Sequence, residues 1–188
     1  VNLRRFSLKP FRVAEDLPDI GIKGTIGRRS NTLSIGYALL GNLSDLAVPA
    51  PVESPGRKDR LWEQTCLELF LGMRDSGRYW EFNLSPAGHW NVYRFTSYRK
   101  GMREEPAIAS LPFRVRTRPE ALRFSMELDI GKLVPKGKPV EAAVCAVILT
   151  VKGKRSHWAL AHSGPRPDFH RRVGFGLTLP GSPAAWRR

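Results

Sequence analysis

Cysteine is scarce: the 188 residues contain two, Cys66 and Cys145, in separate apolar segments. A disulfide framework is therefore not expected, and the usage fits a reducing compartment. No apolar run approaches the ~20 residues that a membrane-spanning helix needs; the longest is Ala142 to Val151. No apolar core segment follows Arg4 and Arg5, so neither a secretory signal nor a membrane partner is expected, and the expected location is cytoplasmic. Helical periodicity is nearly missing, with single turns expected only at 13–20 and 130–134. Catalytic signatures are missing too. There is no G-x-S-x-G, no H-E-x-x-H, no phosphate loop and no G-x-G-x-x-G opening a helix, so a non-enzymatic protein is expected.

Acidic residues are few. Seventeen Asp and Glu face 31 Lys and Arg, for a net charge of +14. A field of that sign attracts polyanions, but the basic residues are spread along the whole chain. Without a recognition-helix pattern or zinc-ligand spacing, a nucleic-acid partner is not expected. Any polyanion binding should be weak and salt-dependent.

What the chain has in quantity is alternation. Leu122, Phe124, Met126, Leu128 and Ile130 alternate with Arg123, Ser125, Glu127 and Asp129. That is the pattern of a strand with one buried and one wet face. Phe113 and Val115 alternate with Arg114, Arg116 and Arg118, and Pro119-Glu120 separates the two runs, which predicts a hairpin. Further strands are predicted at 2–8, 22–28, 33–39, 66–72, 78–84, 89–95, 142–151, 156–162 and 174–179. The run 142–151 is apolar on both faces, as in a central strand. Such a series of short strands between Gly, Pro, Asn and Ser turns predicts an all-β sandwich or barrel. Residues 1–180 are read as one domain, 41–60 as a surface loop, and 181–188 as a basic tail.

Aromatic and polar residues concentrate in two places. In 66–71, Leu67, Leu69 and Leu71 share one strand face, while Cys66, Glu68 and Phe70 share the other. In 79–84, Trp80, Phe82 and Leu84 share one face, while Tyr79, Glu81 and Asn83 share the other. Glu68, Glu81 and Asn83 are thus predicted to meet on one sheet face. Carboxylates and amides beside aromatic rings can hold a sugar: the rings stack on its apolar face and the polar groups bond its hydroxyls. Trp80 and Trp90 are expected in the core, and Trp62, just after the long loop, at the site. The second concentration runs from His157 and Trp158 through His162 to Asp168, Phe169, His170 and Arg171. His162, Asp168 and His170 are also weighed as metal ligands, although they have no recognised ligand spacing, and no metal site is expected.

Trp62-Glu63, Leu67-Glu68-Leu69-Phe70-Leu71 and Tyr79-Trp80-Glu81-Phe82-Asn83-Leu84-Ser85-Pro86-Ala87-Gly88 together resemble the core motif of DOMON-like domains related to family 9 carbohydrate-binding modules. The nearest likeness is to a bacterial stand-alone group. Trp158, Asp168-Phe169-His170 and Phe175-Gly176-Leu177-Thr178-Leu179 are similar to the closing part of those domains, so the resemblance spans roughly residues 20–180. It implies an antiparallel β-sandwich of jelly-roll or immunoglobulin-like topology, and a module that binds a sugar or haem. In the sugar-binding members two tryptophans clamp a terminal sugar. Trp62 matches the first by position, and Trp158 or Phe169 is carried over as the second. Gln64-Thr65 stands where those members often carry acids, which weakens the carry-over of their calcium sites. Haem-binding members use a Met and a His as axial ligands, for which Met73, Met102, Met126 and the four histidines are candidates, but no haem motif is present. The expected ligand is therefore a small carbohydrate or related polar molecule, with no cofactor. Its pocket is expected where the Trp62 loop meets the 162–171 loop, with Trp62, Glu68, Glu81, Asn83, Trp158, His162, Asp168, Phe169, His170 and Arg171 as contact residues.

Overall fold

The computed structural model describes residues 3–12 and 17–181. Among the described residues, twelve strands account for nearly all regular structure. In chain order they are β1 (Arg4–Pro10), β2 (Ile20–Arg29), β3 (Thr32–Gly41), β4 (Cys66–Gly72), β5 (Tyr79–Leu84), β6 (Trp90–Phe95), β7 (Arg103–Glu104), β8 (Phe113–Arg118), β9 (Ala121–Asp129), β10 (Val140–Leu149), β11 (Arg155–Ala159) and β12 (Leu177–Leu179). Two short 3-10 turns, Leu61–Glu63 and Arg172–Gly174, are the only helical elements among the described residues. None is long and apolar enough to cross a membrane.

The strands form an antiparallel β-sandwich. One sheet runs β8-β9-β3-β2-β1 and the other β7-β6-β5-β4-β10-β11, with β12 also paired to β10. Strand β1 belongs to both. Arg4 to Leu8 pair with β2, and Lys9 and Pro10 pair with β11, so the chain turns the corner between the sheets within one strand. The alternation read from the sequence explains the layering. On β9, Leu122, Phe124, Met126 and Leu128 point into the core while Arg123, Ser125 and Glu127 face out. The predicted hairpin forms, with Arg118 opposite Ala121 across the Pro119-Glu120 turn.

Between the sheets lies the main core, built from Ile22, Ile26, Leu33, Leu39, Leu67, Leu69, Phe82 and their neighbours. Trp80 and Trp90 are part of it, as expected. A second apolar cluster lies on the outer face of the β4-containing sheet. It comprises Phe70, Tyr79, Tyr93, Phe95, Ala143, Cys145, Ala159 and Phe175, with Trp62 and Phe169 packed against it. Strands β4 and β5 are therefore buried along their whole length.

Several boundaries differ from expectation. Strand β11 ends at Ala159 rather than at 162, and residues 172–174 form a 3-10 turn ahead of the short β12. At 130–134 the chain makes one turn, with Leu133 N and Val134 N both donating to the Ile130 carbonyl, and no helix. Of the segment 13–20, residues 13–16 lie outside the described residues, and 17–20 carry no helix. The expected tail lies outside them as well, apart from Gly181.

Candidate functional site

Strand pairing assembles the site. Glu68 on β4 is paired with Asn83 on β5 and with Cys145 on β10, and Phe70 is paired with Glu81. All five side chains follow the outward parity of their strands, as do Tyr93 opposite Glu81 and His157 opposite Val147. Two loops rise over this face. Residues 96–102 turn sharply, with Arg99 in the left-handed region at φ 53°. Residues 161–176 lie across β4 and β5. Between them opens a cleft of about 330 Å³ lined by Trp62, Glu68, Glu81, Phe95, Arg99, Met102, Val147, Arg155, His157, Pro167, Phe169 and His170.

Each covering segment has an identifiable anchor. Arg57 anchors the loop read as plain surface at 41–60. Its guanidinium donates to Asn91 Oδ1 at 2.6 Å and to the Glu105 carbonyl at 3.2 Å, and it stacks 4.5 Å from the Trp90 ring. Asp59 accepts the Tyr93 hydroxyl proton. Trp62 follows at once, in the 3-10 turn, with its ring edge-on to Tyr93 at 5.7 Å. The 161–176 loop is pinned near its end by Arg172, which reaches Glu141 Oε2 at 2.7 Å and the Met73 carbonyl at 3.0 Å. Gly72 leaves room for this guanidinium, which a Cβ there, 1.5 Å from it, would displace. Phe175 then packs on Phe70 and Tyr79.

Asp168 ties the two loops together. Its carboxylate accepts from Tyr98 Oη, from Arg99 Nη2 at 2.9 Å and from the His170 backbone N–H at 3.2 Å. Arg171 Nε lies 3.4 Å away. Burial pushes the Asp168 pKa up, but the Tyr98 and Arg99 bonds outweigh it and hold the carboxyl below its usual range. Asp168→Asn should cost little global stability, because these pairs are partly exposed and surface pairs contribute about 0–1 kcal/mol. The loops should loosen instead, seen as faster proteolytic cleavage within 161–171. Equal cleavage rates would show that Asp168 does not tie them.

The cleft floor is electrostatically unusual. Glu68 is 3% exposed, and no group among the described residues donates to its carboxyl. Burial, and then the nearby Glu81 carboxylate, push its pKa well up. Glu81 accepts from Asn83 Nδ2 at 2.8 Å. Burial raises its pKa to about 7, against the downward pull of that bond and of Arg99. His170 is pushed down to about 4, first by burial and then by Arg99, so its ring is neutral at pH 7. Arg99 N donates to Tyr79 Oη at 3.1 Å, and Tyr79 Oη lies 2.8 Å from His170 Nδ1. With the phenol donating to Nδ1, the neutral imidazole carries its proton on Nε2. That nitrogen lies 3.8 Å from Glu81 Oε2, too far for a hydrogen bond.

The sign of the Glu81 shift sets a pH prediction. Its folded pKa is raised from the ordinary 4.5 to about 7. Between those values the folded protein holds a proton that the unfolded chain has lost, so stability falls as pH rises through this window. Glu68 adds in the same direction. Denaturation midpoints should drop between pH 5 and pH 8, and Glu81→Gln should flatten that drop. An unchanged slope in the variant would exclude Glu81 as its source.

Of the sequence-predicted contacts, Trp62, Glu68, Glu81, Phe169 and His170 line the cleft. Asp168 and Arg171 stand behind its rim. Asn83 is fully buried beneath it and holds Glu81. Two residues do not belong with them. Trp158 is 5% exposed in the inter-sheet core, because the β10–β11 register turns His157 outward and Trp158 inward. His162 lies past the end of β11, with Nε2 donating to the Lys9 carbonyl at 2.9 Å and its ring edge-on to Phe11. The weighed metal set of His162, Asp168 and His170 is therefore not assembled, and no group of three or more metal-binding side chains occurs among the described residues. The predicted contact list did not include Phe95, Arg99, Met102, Val147, Arg155, His157 and Pro167. The alternation of 155–159 carried a signal for His157, while nothing local marked Arg99 or Met102.

Comparison with solved structures identifies the architecture. A candidate carbohydrate-binding protein from Bacteroides uniformis superposes with a TM-score of 0.65 at 16% identity, over 93% of this chain and 86% of that one. A family 9 carbohydrate-binding module from Caldicellulosiruptor kristjanssonii in complex with glucose gives 0.50 at 11% identity, over 82% of this chain and 74% of that one. The fold is shared with family 9 carbohydrate-binding modules. A family 9 carbohydrate-binding module from the same organism in complex with cellotriose gives 0.50 at 11% identity, over 82% of this chain and 72% of that one. No family model and no curated protein sequence matches the chain.

Proposed function

We propose that the protein is a non-catalytic module that binds a carbohydrate in the cleft over β4 and β5. One observation carries this reading: the Glu68 carboxyl, to which no described residue donates, opens on the floor of a cleft walled by Trp62 and Phe169. A carboxyl so placed can take its hydrogen-bond partner from a ligand, and a sugar hydroxyl is one. Trp62 rests on Tyr93 on the β6 side, while Phe169 packs on Phe70 and His157 on the β4 and β11 side. Rings on both sides suit the apolar faces of a pyranose, and Glu68 and Glu81 exchange hydrogen bonds with its hydroxyls. The glucose and cellotriose complexes of modules with the same fold support this reading.

The two carboxyls argue for binding over hydrolysis. A glycosidase needs its pair flanking the scissile bond, with one kept ionised. Here Glu68 and Glu81 sit side by side on adjacent strands of one floor, both with raised pKa values. Titration calorimetry with glucose and cellotriose tests the proposal, together with assays for release of reducing sugar and an absorbance scan. Saturable binding without hydrolysis is expected. No binding to any sugar of a glycan array, turnover of a glycoside, or a Soret band from bound haem would overturn it.

A further inference from the structure

The outer face of the opposite sheet carries a second feature, unrelated to the cleft. Strand register gathers basic residues that are far apart in the chain. One row runs Arg5, Thr25, Gly36, Ser125, Arg114, and the next runs Ser7, Lys23, Ala38, Arg123, Arg116. Arg118 lies one step further along β8. Arg5, Lys23, Arg114, Arg116, Arg118 and Arg123 are all exposed, and none is in an ion pair with another described residue. The outward carboxylates Glu127 and Asp129 lie toward the far end, in the register of Ser34 and Thr32.

The shape is as informative as the charge. Gly36, Ala38, Thr25 and Ser125 form the low middle of the face, and the cations stand on its two banks around a trough of about 730 Å³. Lys23 on β2 and Arg123 on β9 are two strand spacings apart, about 10 Å. That width admits one polymer chain, whereas a nucleic-acid duplex is wider. The outward positions of this trough carry no aromatic side chain. A single-stranded nucleic acid held here would forgo base stacking, which contributes about 1–3 kcal/mol per base. Guanidinium forks suit carboxylates bidentately, and Ser and Thr hydroxyls suit sugar hydroxyls.

We infer that this trough binds a linear acidic polysaccharide through its uronate carboxylates. The site is independent of the cleft and holds polymer by charge where the cleft holds sugar by stacking. It also revises the expectation drawn from the sequence that the basic residues are dispersed.

Polygalacturonate is the probe, with binding followed by titration calorimetry at about 50 and 200 mM salt. Three variants are compared with the parent: the triple variant Arg114→Ser, Arg116→Ser, Arg123→Ser; its Lys counterpart; and Trp62→Ala. Circular dichroism and thermal melting confirm that each is folded, which is expected because the three arginines are exposed. The expected result is binding that falls steeply with salt, weakens about tenfold or more in the Ser variant and is unaffected by Trp62→Ala. Partial recovery in the Lys variant would support the guanidinium geometry. Equal binding by the Ser variant would overturn the proposal. So would loss of binding in Trp62→Ala alone, which would put the polymer in the cleft. Tighter binding of single-stranded or duplex DNA than of polygalacturonate would overturn the choice of partner. Glucose and cellotriose titrations of the Ser variant separate this outcome from any failure of the cleft.

Discussion

Replacing Phe82 by Ala is expected to remove about 3–5 kcal/mol of folding stability, the cost of deleting a large ring from a packed core. Phe82 has no exposed surface and sits between the sheets, with Leu69 on β4 and Val92 on β6 as its strand partners. Neighbouring strands hold the backbone on both sides, so the cavity has little room to collapse. Trp80→Ala should fall in the same range for an added reason. The indole Nε1 donates to Glu105 Oε2 at 3.0 Å, and its loss leaves a buried acceptor without that donor. Urea unfolding followed by far-ultraviolet circular dichroism measures both. Losses under about 1 kcal/mol in the two variants would contradict the burial of this strand face.

Trp62→Ala is expected to behave in the opposite way. It should weaken binding of glucose or cellotriose by about 1–3 kcal/mol, roughly 5- to 150-fold, as removal of an aromatic anchor does elsewhere. Stability should suffer less than in Phe82→Ala, because Trp62 is half-buried in a 3-10 turn and packs by its edge on Tyr93. Calorimetric titration of the folded variant decides the matter. An unchanged affinity would remove Trp62 from the binding surface and leave Phe169 as the aromatic wall.

The contrast between these tryptophans was legible in the sequence, and for a physical reason. A strand has a period of two, so Trp80 is tied to Phe82 and Leu84, and the face that carries all three is the one that must be buried. Trp62 lies before its strand and escapes that constraint. The same logic put Glu68 and Glu81 on one outward face. It did not serve for Trp158. Strand β11 offers His157 on one face and Trp158 on the other, both able to line a pocket or fill a core. Only the pairing of Val147 with His157 settles which face looks outward.

Alternation and turn chemistry alone determined the all-β class, the approximate place of every strand but β7, the hairpin at 113–130 and the burial of Trp80 and Trp90. Those follow from neighbours along the chain, where the physics is local. The tertiary structure alone decided that Arg99, Met102 and His157 meet Trp62 in one cleft. It alone turned Trp158 inward, and it gathered Arg5, Lys23, Arg114, Arg116, Arg118 and Arg123 on one face. Each of these depends on strand order and register between segments far apart in the chain. Alternation and a turn fix the register within one hairpin, but pairing between distant strands is set by how the two whole sheets pack.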